Sequence, residues 1–223
     1  MEVLPHSYTN HTTRNGLLVT KSYQGPDASA RCAREAAVLS ALAGRLPVPP
    51  LLHRGGVSLS LGLLPGVPGQ DLIDGGLASQ VLRACGRMLR RIQAIAPAQA
   101  QIEDRHDGAG VLVHGDYGPN NTLLDVAADE VVGVVDWEWA HAGDPVEDLA
   151  WCEWIVRMHH PEHVGALSSL FEGYRAAPAW AERQQAMVAQ CRALLALCER
   201  WQPAGTAVDL WQQRLLATES WTE

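Results

Sequence analysis

Two short apolar runs, Val111-Leu112-Val113 and Val131–Val135, each end abruptly in a polar cluster. The first opens into His114-Gly115-Asp116-Tyr117-Gly118-Pro119-Asn120-Asn121, the second into Asp136-Trp137-Glu138-Trp139. Runs this short and this apolar read as strands, with Thr122–Leu124 as a third. A strand end holds side chains rigidly while they face a cleft, so both clusters are expected at one. The rest of this half reads as helix. Val81, Leu82, Cys85, Met88, Leu89 and Ile92 recur on one side of a helix over Leu77–Ile95. Further helices are expected over Asp144–Met158, Glu162–Arg175, Trp180–Trp201 and Ala207–Thr218. Asp144-Pro145 reads as an N-cap followed by a proline at the first helical position.

The first 65 or so residues carry a different pattern, mixed α/β. Asn15-Gly16 is a hairpin signal, because both turn positions need positive φ. It joins a strand near Tyr8–Thr13 to a second over Leu17–Tyr23. Gly25-Pro26-Asp27 ends that strand and can cap a helix over Ala28–Leu42, where Ala36, Leu39, Leu42 and Ala43 recur at helical spacing. Pro47-Val48-Pro49-Pro50 forces an extended connector. Val57–Leu61 alternates and reads as another strand. Leu64-Pro65-Gly66-Val67-Pro68-Gly69 is a turn-rich linker. It divides the chain into lobes at 1–65 and 66–223.

Composition excludes several classes. The 223 residues carry 17 Lys plus Arg against 25 Asp plus Glu, a net charge of −8. That balance argues against a nucleic-acid partner, which needs a cationic footprint. It suits a cationic or metal-bridged small substrate. The start, MEVLPHSYTN, has neither a basic n-region nor an apolar h-region, and no run of apolar residues is long enough to span a membrane. The five cysteines form no C-x-x-C pair and suggest no disulfide framework. A reduced, cytoplasmic compartment is expected.

The two polar clusters are a parts list for phosphoryl transfer. Asp116 and Asn121 lie five apart in one loop, and Asp136 closes the next strand. Two carboxylates and an amide oxygen are hard ligands, suited to Mg²⁺ that also binds phosphates. Such chemistry needs one Asp to orient a hydroxyl, an Asn and a second Asp for the metal, and a Lys for the nucleotide phosphates. Lys21 sits inside a strand, and Glu35 sits on the following helix. That is the protein-kinase arrangement for gripping phosphates.

In these motifs the chain resembles the aminoglycoside phosphotransferase and choline-kinase-like family, small-molecule relatives of the protein kinases. The resemblance runs from Tyr8 to about Trp154. H-G-D-x-x-x-x-N matches His114, Gly115, Asp116 and Asn121. The family's I-D-W-E segment matches Asp136-Trp137-Glu138. G-D-P-x-x-D-L-A matches Gly143-Asp144-Pro145 and Asp148-Leu149-Ala150. The resemblance implies an α+β, two-lobed, protein-kinase-like fold. The N-lobe is a small antiparallel sheet with one helix, and the C-lobe is mainly helical.

It also implies roles. Asp116 is the catalytic base, and Asn121 and Asp136 bind Mg²⁺. Lys21 contacts the phosphates and Glu35 positions it. Backbone groups of Gly62 and Leu64 meet the adenine. Ser7 and Asn10 serve a phosphate loop that has no glycine, with ATP or GTP as co-substrate. His114, Asp144 and Asp148 brace the catalytic loop. The acceptor is a small molecule, expected to be an aminated alcohol, and the helix of Trp151 and Trp154 borders its pocket. A ring there could hold an ammonium by cation–π contact, or both rings could simply fill the core. Two other readings stay open. One is a nucleotide-binding module without turnover. The other is a metal-dependent hydrolase using Asp116, Asp136 and His114, which leaves Lys21 and Glu35 unexplained.

Overall fold

Gly16 turns the first hairpin. In the computed structural model, which describes residues 2–3, 10–103 and 110–223, strand β2 (Asn10–Asn15) pairs antiparallel with β3 (Leu18–Tyr23) in the register Asn15↔Leu18. The turn is therefore Gly16-Leu17 rather than Asn15-Gly16. Only Gly16 has positive φ, +62°, so this is a turn with glycine first. The part of the expected Tyr8–Thr13 strand before Asn10 lies outside the described residues.

The sheet continues with β5 (Ser58–Gly62) against β3 and β4 (Leu51–Gly55) against β5; a short β1 (Glu2–Val3) pairs with β2. The order is β1-β2-β3-β5-β4, antiparallel throughout. Strand β4 was not expected from the sequence. Its residues past Leu51 are exposed, and its register shifts between Leu51 and His53, so no alternation marks it. Helix α1 (Ala28–Leu42) buries Cys32, Ala36, Leu39 and Leu42 in a core shared with Tyr23, Leu59 and Leu61 of the sheet. Asp27 precedes α1 in a left-handed conformation but makes no cap. Its carboxylate instead pairs with Arg200 at 3.0 Å.

After Gly62 the chain enters a mostly helical lobe. Strand β6 (Val67–Pro68) belongs to that lobe, because it pairs with β8 (Thr122–Leu124), which pairs with β9 (Val131–Val134). A short α2 (Gly69–Leu72) and a π turn over Ile73–Leu77 lead into α3 (Ala78–Gln93). Strand β7 (Val111–Val113) pairs with β10 (His141–Gly143), a strand the sequence did not announce. Four helices follow: α4 (Val146–His159), α5 (Leu167–Tyr174), α6 (Trp180–Trp201) and α7 (Thr206–Ser220). The helix expected over Glu162–Arg175 begins as a 3-10 stretch, Pro161–Ala166. Gly86 of α3 and Gly173 of α5 let these helices meet backbone to backbone; a Cβ at Gly173 would fall 2.1 Å from the Arg83 carbonyl. Among the described residues, no helix is long and apolar enough to cross a membrane.

Two connections matter for function. The loop 114–121 joins β7 to β8, and the turn 136–140 joins β9 to β10. The second packs against α1 and meets Lys21 of β3.

Candidate active site

The loop after β7 is held from behind. Asp148 of α4 accepts the backbone N–H of His114 at 2.6 Å and that of Gly115 at 2.9 Å. His114 is fully buried; its Nδ1 accepts the Asp116 N–H at 3.2 Å, which leaves Nε2 to donate to the Val135 carbonyl at 2.9 Å. Burial pushes this imidazole down to about 4, so it stays neutral and acts as a spacer between the two strand ends. Gly115 has φ +85°, and a Cβ there would lie 2.6 Å from the Trp139 carbonyl. Only glycine fits. Tyr117 donates its hydroxyl to the Cys85 carbonyl at 2.7 Å and pins the loop to α3.

Asp116 is presented at the tip of this loop. Asn121 Nδ2 donates to its Oδ2 and to its carbonyl, both at 2.8 Å. Trp151 Nε1 of α4 donates to its Oδ1, also at 2.8 Å. Burial raises the Asp116 carboxyl to about 7, and the nearby charge of Asp136 adds to that; the Trp151 and Asn121 hydrogen bonds oppose it.

The second cluster meets the N-lobe. Lys21 Nζ of β3 lies 2.6 Å from Glu35 Oε2 on α1 and 2.5 Å from Asp136 Oδ1. Burial disfavours the ammonium, but Asp136 and Glu35 outweigh it and hold Lys21 above its ordinary range. Asp136 is correspondingly lowered: burial pushes its carboxyl up, and Lys21 pulls it down further. Asp136 sits at φ +68°, a left-handed conformation that costs free energy in a non-glycine residue and recurs at functional positions. Glu35 also accepts from the Tyr23 hydroxyl and from the Trp137 N–H at 3.3 Å.

The sequence reading missed Arg31. It is buried on α1, one helical turn before Glu35, and its Nη1 meets Glu138 Oε2 at 2.6 Å. Arg34 Nη1 reaches the Glu138 carbonyl at 2.9 Å. Asn10, expected at the phosphates, instead donates Nδ2 to Glu138 Oε1 at 2.8 Å and is buried. Its side chain ties β2 to the C-lobe because Glu138 is a buried carboxylate that needs donors. The i, i+4 spacing of Arg31 and Glu35 was the available signal.

Four further expectations are revised, narrowed or fall outside the described residues. Ser7 lies outside the described residues. The Gly62 N–H donates to the Pro50 carbonyl at 2.8 Å, and that of Leu63 to Leu17 at 2.9 Å, so Gly62 could meet a base through its carbonyl but not through its N–H. Asp144 does not hold the catalytic loop. Its Oδ1 accepts the Val146 N–H at 2.9 Å, while Glu147 Oε1 accepts the Asp144 N–H at 2.6 Å, a reciprocal cap on α4. Trp151 is 4% exposed and stacked on Trp154, so it offers no open ring face for an ammonium.

The donor set suits a divalent cation. The hydrogen bonds of Asn121 Nδ2 to Asp116 fix its amide so that Oδ1 could serve a metal, and the Asp136 side chain is 30% exposed. Both are the hard oxygens that Mg²⁺ prefers. Carboxylate oxygens of Glu35, Asp136 and Glu138 also lie within 4.8 Å of one another, but each of the three carboxylates is already ion-paired, with Lys21 or Arg31.

A cavity of about 770 Å³ opens beside the loop, between α4 and α6. Gly115, Trp151 and Gln190 border it, and Asp144, Glu147, Asp148 and Glu182 supply carboxylates; no Lys or Arg lines it among the described residues. Gln190 Nε2 donates to the Gly115 carbonyl at 3.0 Å, which joins α6 to the same loop.

Known proteins share this architecture. An aminoglycoside 2'-phosphotransferase-IIIa, solved as its GDP complex, superposes with a TM-score of 0.78 at 12% identity, covering 98% of this chain and 92% of that one. Macrolide 2'-phosphotransferase MphH from Brachybacterium faecium gives 0.62 at 20% identity, over 100% and 93%. A choline/ethanolamine kinase family protein from Mesorhizobium loti gives 0.67 at 16%, over 99% and 88%. No curated protein sequence matches the chain. At such identities the structures show the two-lobed kinase-like fold alone. Membership rests on sequence: the profile described as the phosphotransferase enzyme family matches residues 3–109 and 99–186, through the Lys21 strand, the Asp116 loop and the Asp136 turn. The chain belongs to that family.

Proposed function

We propose that the chain transfers the γ-phosphoryl group of ATP to a hydroxyl of a small aminated molecule. The observation that carries this reading is Lys21, held 2.6 Å from Glu35 and 2.5 Å from Asp136 on the opposite lobe. A buried lysine fixed between two carboxylates at a cleft is placed to meet a polyphosphate. Asn121 and Asp136 would hold Mg²⁺, which neutralises phosphate charge when bound. Asp116 accepts a hydrogen bond from the attacking hydroxyl and takes its proton as the new P–O bond forms, while the γ-phosphorus bond to the β–γ bridging oxygen breaks and ADP leaves. A carboxyl raised to about 7 is poised for that near neutral pH. Little covalent help is needed, since positioning and charge neutralisation supply most of the rate.

The acidic cavity supports an aminated acceptor. Its four carboxylates outnumber the one basic side chain of the described lining, His141, which pairs with Glu147 at 2.9 Å, and so favour a positively charged guest. The GDP-bound relative makes GTP the natural competitor to test beside ATP. The experiment is release of ADP or GDP from the magnesium nucleotide across hydroxylated amines, aminoglycosides and macrolides, with Asp116→Ala in parallel. Acceptor-dependent release that vanishes in the variant is expected. Wild-type turnover in Asp116→Ala overturns the assignment.

A further inference from the structure

The two oxygens of Asp116 are gripped from different parts of the fold. Oδ2 takes the Asn121 amide at 2.8 Å and the Asn120 amide at 3.4 Å, both from the same loop. Oδ1 takes the indole N–H of Trp151 at 2.8 Å, from α4. That indole cannot swing. It lies flat on Trp154, centroids 4.2 Å apart and planes 7° apart. Trp154 stacks in turn on Trp211 of α7 at 5.7 Å, and its own N–H donates to Thr218 Oγ1 at 2.8 Å. A stack of three indoles therefore fixes the donor that meets Asp116. The same ring borders the acidic cavity.

A buried indole needs a partner for its N–H, and a backbone carbonyl would serve. Here the partner is the carboxylate that would take the acceptor's proton. A carboxylate has about four lone-pair positions. With the indole and the amides in place, the remaining direction for an incoming hydroxyl is set by the fold.

We propose that Trp151 is a positioning residue for phosphoryl transfer: its indole N–H clamps Oδ1 of Asp116 and gives the carboxylate a single orientation toward the acceptor hydroxyl. The proposal rests on the phosphotransferase reading above. Loss of the clamp frees Oδ1 while Oδ2 stays with the Asn121 and Asn120 amides, so the carboxylate can tilt about that anchor while Lys21 and Asp136 keep their own contact. The cost falls on the chemical step and spares nucleotide binding.

The test is Trp151→Phe, which keeps a ring in the stack and removes the donor. The expected result is a kcat lower by roughly 10–100-fold, the range that a small misplacement costs, with the nucleotide KM within about twofold of wild type. Unfolding temperature and circular dichroism confirm that the variant is folded. A second arm needs no turnover. In ¹⁵N-labelled protein the Trp151 indole resonance is identified by its disappearance in Trp151→Phe. It is expected to move upfield and exchange faster with solvent in Asp116→Ala. Wild-type kcat in folded Trp151→Phe overturns the proposal, as does an indole resonance indifferent to Asp116→Ala. A wild-type protein that transfers no phosphoryl group to any acceptor, with the resonance still answering to Asp116→Ala, sinks the phosphotransferase reading and the catalytic role with it, while the contact stands.

Discussion

Arg31 and Glu138 are 107 residues apart in the chain and 2.6 Å apart in the fold, both buried. One stands on α1 of the N-lobe, the other on the turn that follows Asp136. Asn10 and Arg34 converge on the same glutamate. The pair therefore fixes the helix that carries Glu35 against the turn that carries Asp136, and Lys21 is caught between them. Lobe geometry and site geometry are one arrangement.

Breaking this latch from one side leaves a buried charge without its partner, which costs about 3–5 kcal/mol. Arg31→Leu and Glu138→Leu are each expected to lose stability on that scale in urea unfolding. The double variant should lose less than the sum, because no lone charge remains. Single variants within about 1 kcal/mol of wild type would show that the latch holds no more than a surface ion pair does.

Lys21→Ala separates catalysis from a pH-dependent stability effect. Asp136 is held below its ordinary value against the pull of burial, chiefly by Lys21. A lowered carboxyl contributes stability above its unfolded value of 3.8, and that stability is lost as pH falls through the lower folded value. Removing Lys21 should thus destabilise the protein at pH 7 by roughly 1–3 kcal/mol and progressively less below pH 4. Turnover should fall with it, and nucleotide affinity should drop when measured by calorimetry. A pH-independent penalty would mean that Asp136 is not the residue Lys21 serves.

The parts of this site that were legible in the sequence are those at strand ends. Asp116, Asn121 and Asp136 follow apolar runs, and a polar cluster after such a run has few structural uses. Lys21 stood out because a lone cation inside a strand needs a reason. Arg31 did not stand out, because an arginine on a helix reads as solvated until the opposite lobe is present to bury it. Asn10 read as a phosphate donor for the same reason: its acceptor, Glu138, lies 128 residues away. Trp151 read as core, and it is core; that its N–H reaches Asp116 depends on a helix packing that no local pattern encodes. Strand β4 escaped notice because its exposed side chains carry no alternation.

Asp144 and Asp148 share one motif but do different work, and substitution should separate them. Asp144→Ala removes half of a reciprocal cap on α4, expected to cost about 1 kcal/mol with turnover nearly unchanged. Asp148→Ala leaves the N–H groups of His114 and Gly115 buried without an acceptor. That loss is expected to cost more, about 2–4 kcal/mol, and to cut turnover through displacement of Asp116. Thermal unfolding and steady-state rates on the two variants decide it. Equal losses of turnover would return Asp144 to the catalytic loop.

Asp116 should control the acid limb of the pH profile. Its folded carboxyl is raised from 3.8 to about 7, by burial first and by Asp136 second. It must be ionised to accept the hydroxyl proton, so kcat/KM should be low at pH 5.5 and rise to a plateau above about 7. Stability runs the other way. A raised carboxyl holds its proton in the folded state, so its contribution is full below 3.8 and is lost as pH climbs through about 7. Asp116→Asn cannot ionise. Its stability relative to wild type should therefore improve from pH 5 to pH 7, by up to about 1 kcal/mol per pH unit, whatever constant offset the amide introduces. Paired melts of the two proteins at each pH measure that difference. A flat rate profile combined with a flat stability difference would place the titrating base elsewhere in the cleft.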